Sequence, residues 1–168
     1  MEVNHVPQYD DSVDTTGCCA RFNPSGWDGQ ALPFKDKKFV HAKTRSVMHA
    51  PINMGKVFAR VQEHVQSQGA YDNNDYIVLS KETSAWGAEH YFAVSKDVAG
   101  EEMKDLSGDF VTKVFEGPYS NMKVWEEEMK RSVRERESVP NDIYFFYTTC
   151  PNCAKAYGKN YVVGIAEL

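Results

Sequence analysis

Trp86, Glu89, His90 and Tyr91 place an indole, a carboxylate, an imidazole and a phenol within six positions. On an extended strand, residues two apart share a face, so Glu89 and Tyr91 point the same way and His90 points the other. A carboxylate kept partly dry beside Trp86 can hold a water for attack, and Tyr91 can donate a proton to the group that departs. This assigns Glu89 as general base and Tyr91 as proton donor, with Trp86 as an aromatic wall. The plainer alternative is a solvated hairpin whose tryptophan shields its own sheet. Two further acids, Glu82 and Glu116, fall near strand ends. Glu116, next to Gly117, either faces a ligand or complements the start of the helix that follows.

Phenols are the second resource. Tyr76, Tyr119, Tyr144, Tyr147 and Tyr161 join an apolar ring to a polar tip, which suits a pocket for flat amphipathic ligands. Tyr144 and Tyr147 lie on opposite faces of one strand, so at most one of them belongs to a given pocket. Tyr119, Tyr147, Trp86 and Glu116 are the expected ligand contacts.

The four cysteines are Cys18 and Cys19 near the start and Cys150 and Cys153 in a C-x-x-C near the end. The second pair has the spacing of a tetrahedral metal knuckle, and the first pair would complete a four-cysteine zinc site. Adjacent cysteines must turn sharply to face one ion, which leaves inert packing as the competing reading. The C-x-x-C is read as a turn between strands and not as the opening of a helix, which counts against thioredoxin-like redox chemistry. No cofactor is expected beyond a structural zinc at these four residues. His41, His49 and His64 have no ligand-spaced partners, and nothing resembles G-x-S-x-G, H-E-x-x-H or a phosphate-cradling loop.

Composition limits the partners. Lys plus Arg at 19 against Asp plus Glu at 24 gives a net charge of −5, which repels phosphate backbones, so nucleic acid is not expected. There is no apolar run of membrane-spanning length and no basic, apolar opening of an export signal, which predicts a cytoplasmic protein without a membrane partner. A chain of 168 residues with 42% hydrophobic residues fits one domain.

These residues have to be positioned by something, and the chain repeats one plan for doing so. Residues 1 to 36 are rich in turn formers yet contain Phe22, Trp27, Leu32 and Phe34, which reads as an irregular arm lying on a surface. From residue 37 on, a strand at Phe39 to Met48 precedes a helix with Met54, Val57, Phe58, Val61 and Val65 on one face. A hairpin follows, from Tyr76 to Ser80 and from His90 to Ser95. The second copy has a strand at Phe110 to Phe115 and a helix striped by Met122, Trp125, Met129 and Val133. Its closing strands run from Ile143 to Thr148 and from Tyr161 to Ala166. Two β-α-β-β units must pack together to bury their faces, so the class is α+β, with a curved, mainly antiparallel sheet and two helices on one side.

This order, with Val114-Phe115-Glu116-Gly117-Pro118-Tyr119 running straight into the second helix, resembles the GyrI-like family of effector-binding and gyrase-inhibitor-like domains across residues 37 to 168. The resemblance implies helices on the convex side of the sheet and a concave groove for amphipathic or cationic aromatic molecules. In some members it implies hydrolysis of strained electrophiles by a carboxylate with an aromatic partner. The chain departs from the pattern at Tyr144-Phe145-Phe146-Tyr147, where Phe145 stands in place of an acid. The resulting expectation is a free-standing protein that binds a small amphipathic or aromatic molecule and hydrolyses reactive electrophiles in a detoxifying role. The alternative is a non-catalytic sequestering or partner-binding module with a structural zinc on the four cysteines.

Overall fold

The computed structural model of the chain describes residues 1–8, 12–17 and 19–168. Its elements are β1 (Ala31–Val47), β2 (Ala50–Pro51), α1 (Met54–Ser67), β3 (Val78–Ser84), β4 (Gly87–Ala93), β5 (Glu102–Glu116), α2 (Met122–Arg134, led in by a 3-10 turn at Tyr119–Asn121), β6 (Ile143–Tyr147), α3 (Pro151–Tyr157) and β7 (Tyr161–Glu167). The two β-α-β-β units are present, and every strand pairing is antiparallel. The class is α+β.

The sheet runs β2-β1-β4-β3-β6-β7-β5, and β1 also pairs with β5, so six strands close into a barrel-like ring. Two long strands make that closure. β1 begins at Ala31 and not near Phe39, and β5 begins at Glu102 and not at Phe110. The added stretches pair with each other, from Ala31 opposite Val111 to His41 opposite Glu102, with a bulge between Phe34 and Lys37. Asp36, at the bulge, has a positive φ of 49°.

Alternation assigns each strand two faces. The inner face holds Leu32, Phe34, Phe39, Leu79, Tyr91, Phe110, Tyr144, Phe146, Val163 and Ile165, all buried in one cluster with Phe22 and Trp27 of the arm. Their rings pack at tilted and edge-on angles, among them Phe34 on Phe110 at 5.0 Å and Trp27 on Phe146 at 5.7 Å. The hollow of the curved sheet is therefore filled by side chains. The arm supplies part of the filling, as its spaced aromatics suggest.

Both helices cover the outer face. Val57, Val61 and Val65 are the buried stripe of α1, and Trp125, Met129 and Val133 are that of α2. The α2 stripe packs on Val111, Phe115, Phe145, Val162 and Ala166. Gly164 permits this approach, because a Cβ there would stand 2.6 Å from Met129 Sδ. The C-x-x-C departs from its expected turn. Cys150 is the N-cap of α3, Pro151 occupies the first turn, and Gly158 ends the helix in the left-handed conformation. The motif thus opens a helix directly after β6. Among the described residues no helix is long and apolar enough to cross a membrane.

Candidate functional site

On the outer face α1 and α2 stand apart, and between them lies a groove of about 1420 Å³. Its floor is the outward side of β3, β4 and β6: Val78, Ser80, His90, Phe92, Phe145 and Tyr147. Phe58 of α1 closes one wall, edge-on to His90 at 4.8 Å and to Phe92 at 4.9 Å. Met122, Glu126 and Lys130 of α2 form the other wall. One end is rimmed by His49, Pro51 and Glu82, with His49 Nδ1 hydrogen-bonded to the Glu82 carboxylate. The other end reaches Tyr119, Thr149, Cys150 and Cys19.

The floor contains a relay of polar groups. Ser80 Oγ lies 2.7 Å from His90 Nδ1, and Thr44 Oγ1 lies 2.9 Å from His90 Nε2. These residues come from three neighbouring strands: β4 sets His90 opposite Ser80 of β3 and opposite Ala42 of β1, and Thr44, two residues along β1 on the same face, reaches the ring diagonally. Ser80 is 3% exposed and His90 is fully buried. Burial strips water from the ring and holds the His90 pKa down at about 4, opposed by the charge of Glu89. The imidazole is therefore neutral at neutral pH. A neutral ring has one N–H, so one nitrogen donates and the other accepts. With the proton on Nε2 directed at Thr44, Nδ1 is free to accept from the Ser80 hydroxyl.

This sets an expected pH dependence. In the unfolded chain His90 titrates near its ordinary 6.5, while in the fold it stays neutral to about 4. Between these values the unfolded state binds more protons, so stability falls as pH drops from 6.5 towards 4, by about 3 kcal/mol at the acid end. Urea midpoints measured across this window will show that slope, and His90→Gln will flatten it. An unchanged slope in the variant would remove His90 as its source.

Glu89 and Tyr91 do share a face, but it is the inner one, and neither lines the groove. Tyr91 is buried, and its hydroxyl donates to Glu89 Oε2 at 3.3 Å. His41 stacks on Tyr91 at 4.8 Å, lies 3.6 Å from Glu89 Oε1 and contacts Glu102 Oε1 at 2.8 Å. Burial first, then the adjacent Glu89 charge, pushes the Tyr91 phenol up to about 12. Trp86 is 62% exposed at the β3–β4 tip, away from the pair it was expected to shield. Glu116 is exposed at the end of β5, 3.9 Å from Lys159 Nζ. Tyr119 and Tyr147, expected in a concave groove, line this one on the helix-covered side instead, with their rings 5.7 Å apart edge-on. Tyr119 donates to the Thr149 carbonyl at 2.9 Å, and burial pushes Tyr147 and Tyr76 up to about 12, so both phenols stay protonated.

Sequence reasoning missed Ser80, and it named His90 only to set it aside as pointing away from Glu89 and Tyr91. Their signal is a serine ending the apolar run Ile77-Val78-Leu79 and a histidine amid strand residues, but reading it requires knowing which face the helices cover.

The sulfur donors of Cys19, Cys150 and Cys153 lie within 4.8 Å of one another, an arrangement compatible with a metal site. Cys18 lies outside the described residues. The Thr16 hydroxyl, then the Cys150 thiol, lowers the Cys153 pKa to about 7.

Comparison with known proteins finds a family and structural neighbours. A family model described as "Bacterial hydrolase" matches residues 9–168. A solved structure, an uncharacterized conserved protein from Listeria innocua, superposes with a TM-score of 0.56 at 10% identity, covering 83% of this chain and 91% of that one. At that identity the likeness establishes a shared fold. No curated protein matches. GyrI-like membership does not follow from these matches.

Proposed function

The chain belongs to the Bacterial hydrolase family, a hydrolase-like kind of function, and from that premise we propose that it hydrolyses a small, amphipathic, already electrophilic organic molecule held between α1 and α2. The observation that carries this reading is the Ser80–His90 pair on the floor of the groove between the helices, with Thr44 bonded to the far side of the ring, an arrangement of nucleophile, base and orienting group.

The Ser80 oxygen adds to the electrophilic carbon as its proton passes to His90 Nδ1. His90 returns that proton to the departing atom as its bond to carbon breaks. Water then attacks the acyl-serine, gives its proton to the same nitrogen, and Ser80 leaves with it. Thr44 holds the ring in the required tautomer. An imidazole whose pKa is held near 4 is a weak base, so the carbon must be reactive and the leaving group good. Activated esters, thioesters and strained acyl electrophiles fit, and simple amides do not. Tyr147 and Tyr76 remain protonated and are available as donors in the same groove. Routing the carboxylate chemistry through Glu89 would need substrate inside the filled barrel.

A panel of chromogenic aryl esters and thioesters tests the proposal. Saturable, buffer-corrected turnover supports it. Melting-point shifts without turnover would overturn it in favour of the non-catalytic sequestering module. Occupancy of the groove has its own check at Gly55, a groove-lining position in α1 where an added Cβ meets nothing within 4 Å. Gly55→Trp is expected to raise KM at least tenfold, with little change in melting temperature because helix propensity improves. An unchanged KM would place the substrate elsewhere.

A further inference from the structure

Separate from the groove relay, three cysteines converge from two distant parts of the chain. Cys19 belongs to the arm, Cys150 caps α3, and Cys153 sits one turn into it, 3% exposed. We propose that these three sulfurs hold a zinc ion that clips the arm to α3 at the Tyr119 end of the groove.

The geometry supports the set. Tetrahedral zinc with sulfur at about 2.3 Å needs sulfurs about 3.8 Å apart. The present spread, all within 4.8 Å, requires each to move by less than about an ångström. A redox dithiol uses two sulfurs, whereas a third converging donor from another segment is what a metal needs. Soft thiolates select zinc over magnesium or calcium.

The surroundings hold the ligand from the arm in place before any ion arrives, as outer partners do in metal sites. The Thr16 hydroxyl lies 3.4 Å from Cys153 Sγ, donates to the Cys19 carbonyl at 3.2 Å and accepts from the Cys19 N–H at 3.4 Å. Tyr157, on α3, donates to the same carbonyl at 2.6 Å. The turn at Thr16 is braced in turn, because Asp14 accepts from Gly17 N–H at 2.8 Å. Cys19 and Cys150 also line the groove, so the clip would form its end wall.

The test uses the full chain, produced without a histidine tag in zinc-supplemented medium and purified under reducing conditions. Expected are one zinc per chain, a thiolate-to-cobalt charge-transfer band of three-sulfur intensity after cobalt exchange, and a melting temperature lowered by chelator. Cys150→Ser and Cys153→Ser should each lose the ion, and Cys18→Ser should keep it. Absence of zinc in wild type, with the cysteines reacting freely with a thiol reagent, would overturn the site. So would a mass two hydrogens light under reducing conditions, which reports a disulfide. Loss of the ion in Cys18→Ser would overturn the three-cysteine set. Cobalt spectra of the wild type decide the matter even where a serine variant fails to fold, and none of these readouts depends on turnover.

Discussion

Ser80→Ala is expected to reduce turnover of an activated aryl ester by roughly a thousandfold or more, while the ligand-induced rise in melting temperature persists. The magnitude follows from the role assigned. Removing the nucleophile of a relay removes the covalent route, and what remains is positioning in the groove. The substitution also leaves His90 Nδ1 without its partner at 2.7 Å, an unsatisfied buried group costing about 1–3 kcal/mol of stability. Loss of activity alone could therefore be confused with loss of structure. Two measurements separate them. Ser80→Cys keeps a nucleophile at the same position and should retain measurable turnover on thioesters. The acid limb of kcat/KM in the wild type should fall near pH 4, where His90 becomes protonated, and not near 6.5. Wild-type rates in Ser80→Ala would remove Ser80 from the chemistry and return attention to the His49–Glu82 pair at the groove rim.

How far the sequence foretells this arrangement depends on which element is considered. The helices are legible because Val57, Val61 and Val65, and Trp125, Met129 and Val133, recur at a spacing that only a helix puts on one side. The first half of β5 is not legible. Glu102, Lys104, Asp105, Ser107 and Gly108 form no apolar alternation, and they become a strand only because residues 31 to 41 lie against them. Tertiary pairing overrides local preference there, and that unread pairing is what closes the ring and fills its hollow.

The site follows the same rule. Alternation correctly separates His90 from Glu89 and Tyr91, but it cannot say which side is left open. An open concave sheet would expose Glu89 and Tyr91; a closed ring buries Tyr91, half-buries Glu89 and leaves His90 facing the gap between the helices. Tyr119 and Tyr147 are legible because a phenol after the Gly117-Pro118 turn and one at the end of β6 reach the groove from its end. The helix at Cys150 escapes a reading by pattern because a seven-residue element has too few turns to show a period.

Trp27→Ala should destabilise the protein by about 3–5 kcal/mol, although it lies in a stretch with no regular structure. Its side chain is fully buried, 5.5 Å from the Phe22 ring and 5.7 Å from Phe146, and it fills the barrel interior from one side. The main chain around it is tied to β5. The Thr112 hydroxyl donates to the Trp27 carbonyl, Gly29 N–H donates to the Thr112 carbonyl at 3.0 Å, and Val114 N–H donates to the Asp28 carboxylate at 2.8 Å. Truncating the indole leaves a cavity that the closed ring cannot collapse around, because its strands are hydrogen-bonded on both sides. For a domain whose whole stability is about 5–15 kcal/mol, the loss is a large fraction of the total. It corresponds to a fall in melting temperature of about 10 °C at this chain length. Urea unfolding distinguishes two ways of losing it. A lower midpoint with an unchanged slope means the arm still folds with the barrel, as its burial in the common core requires. A shift below about 1 kcal/mol would show that the arm merely covers the barrel, and the claim that the ring is closed and filled as one core with residues 20 to 34 would fall with it.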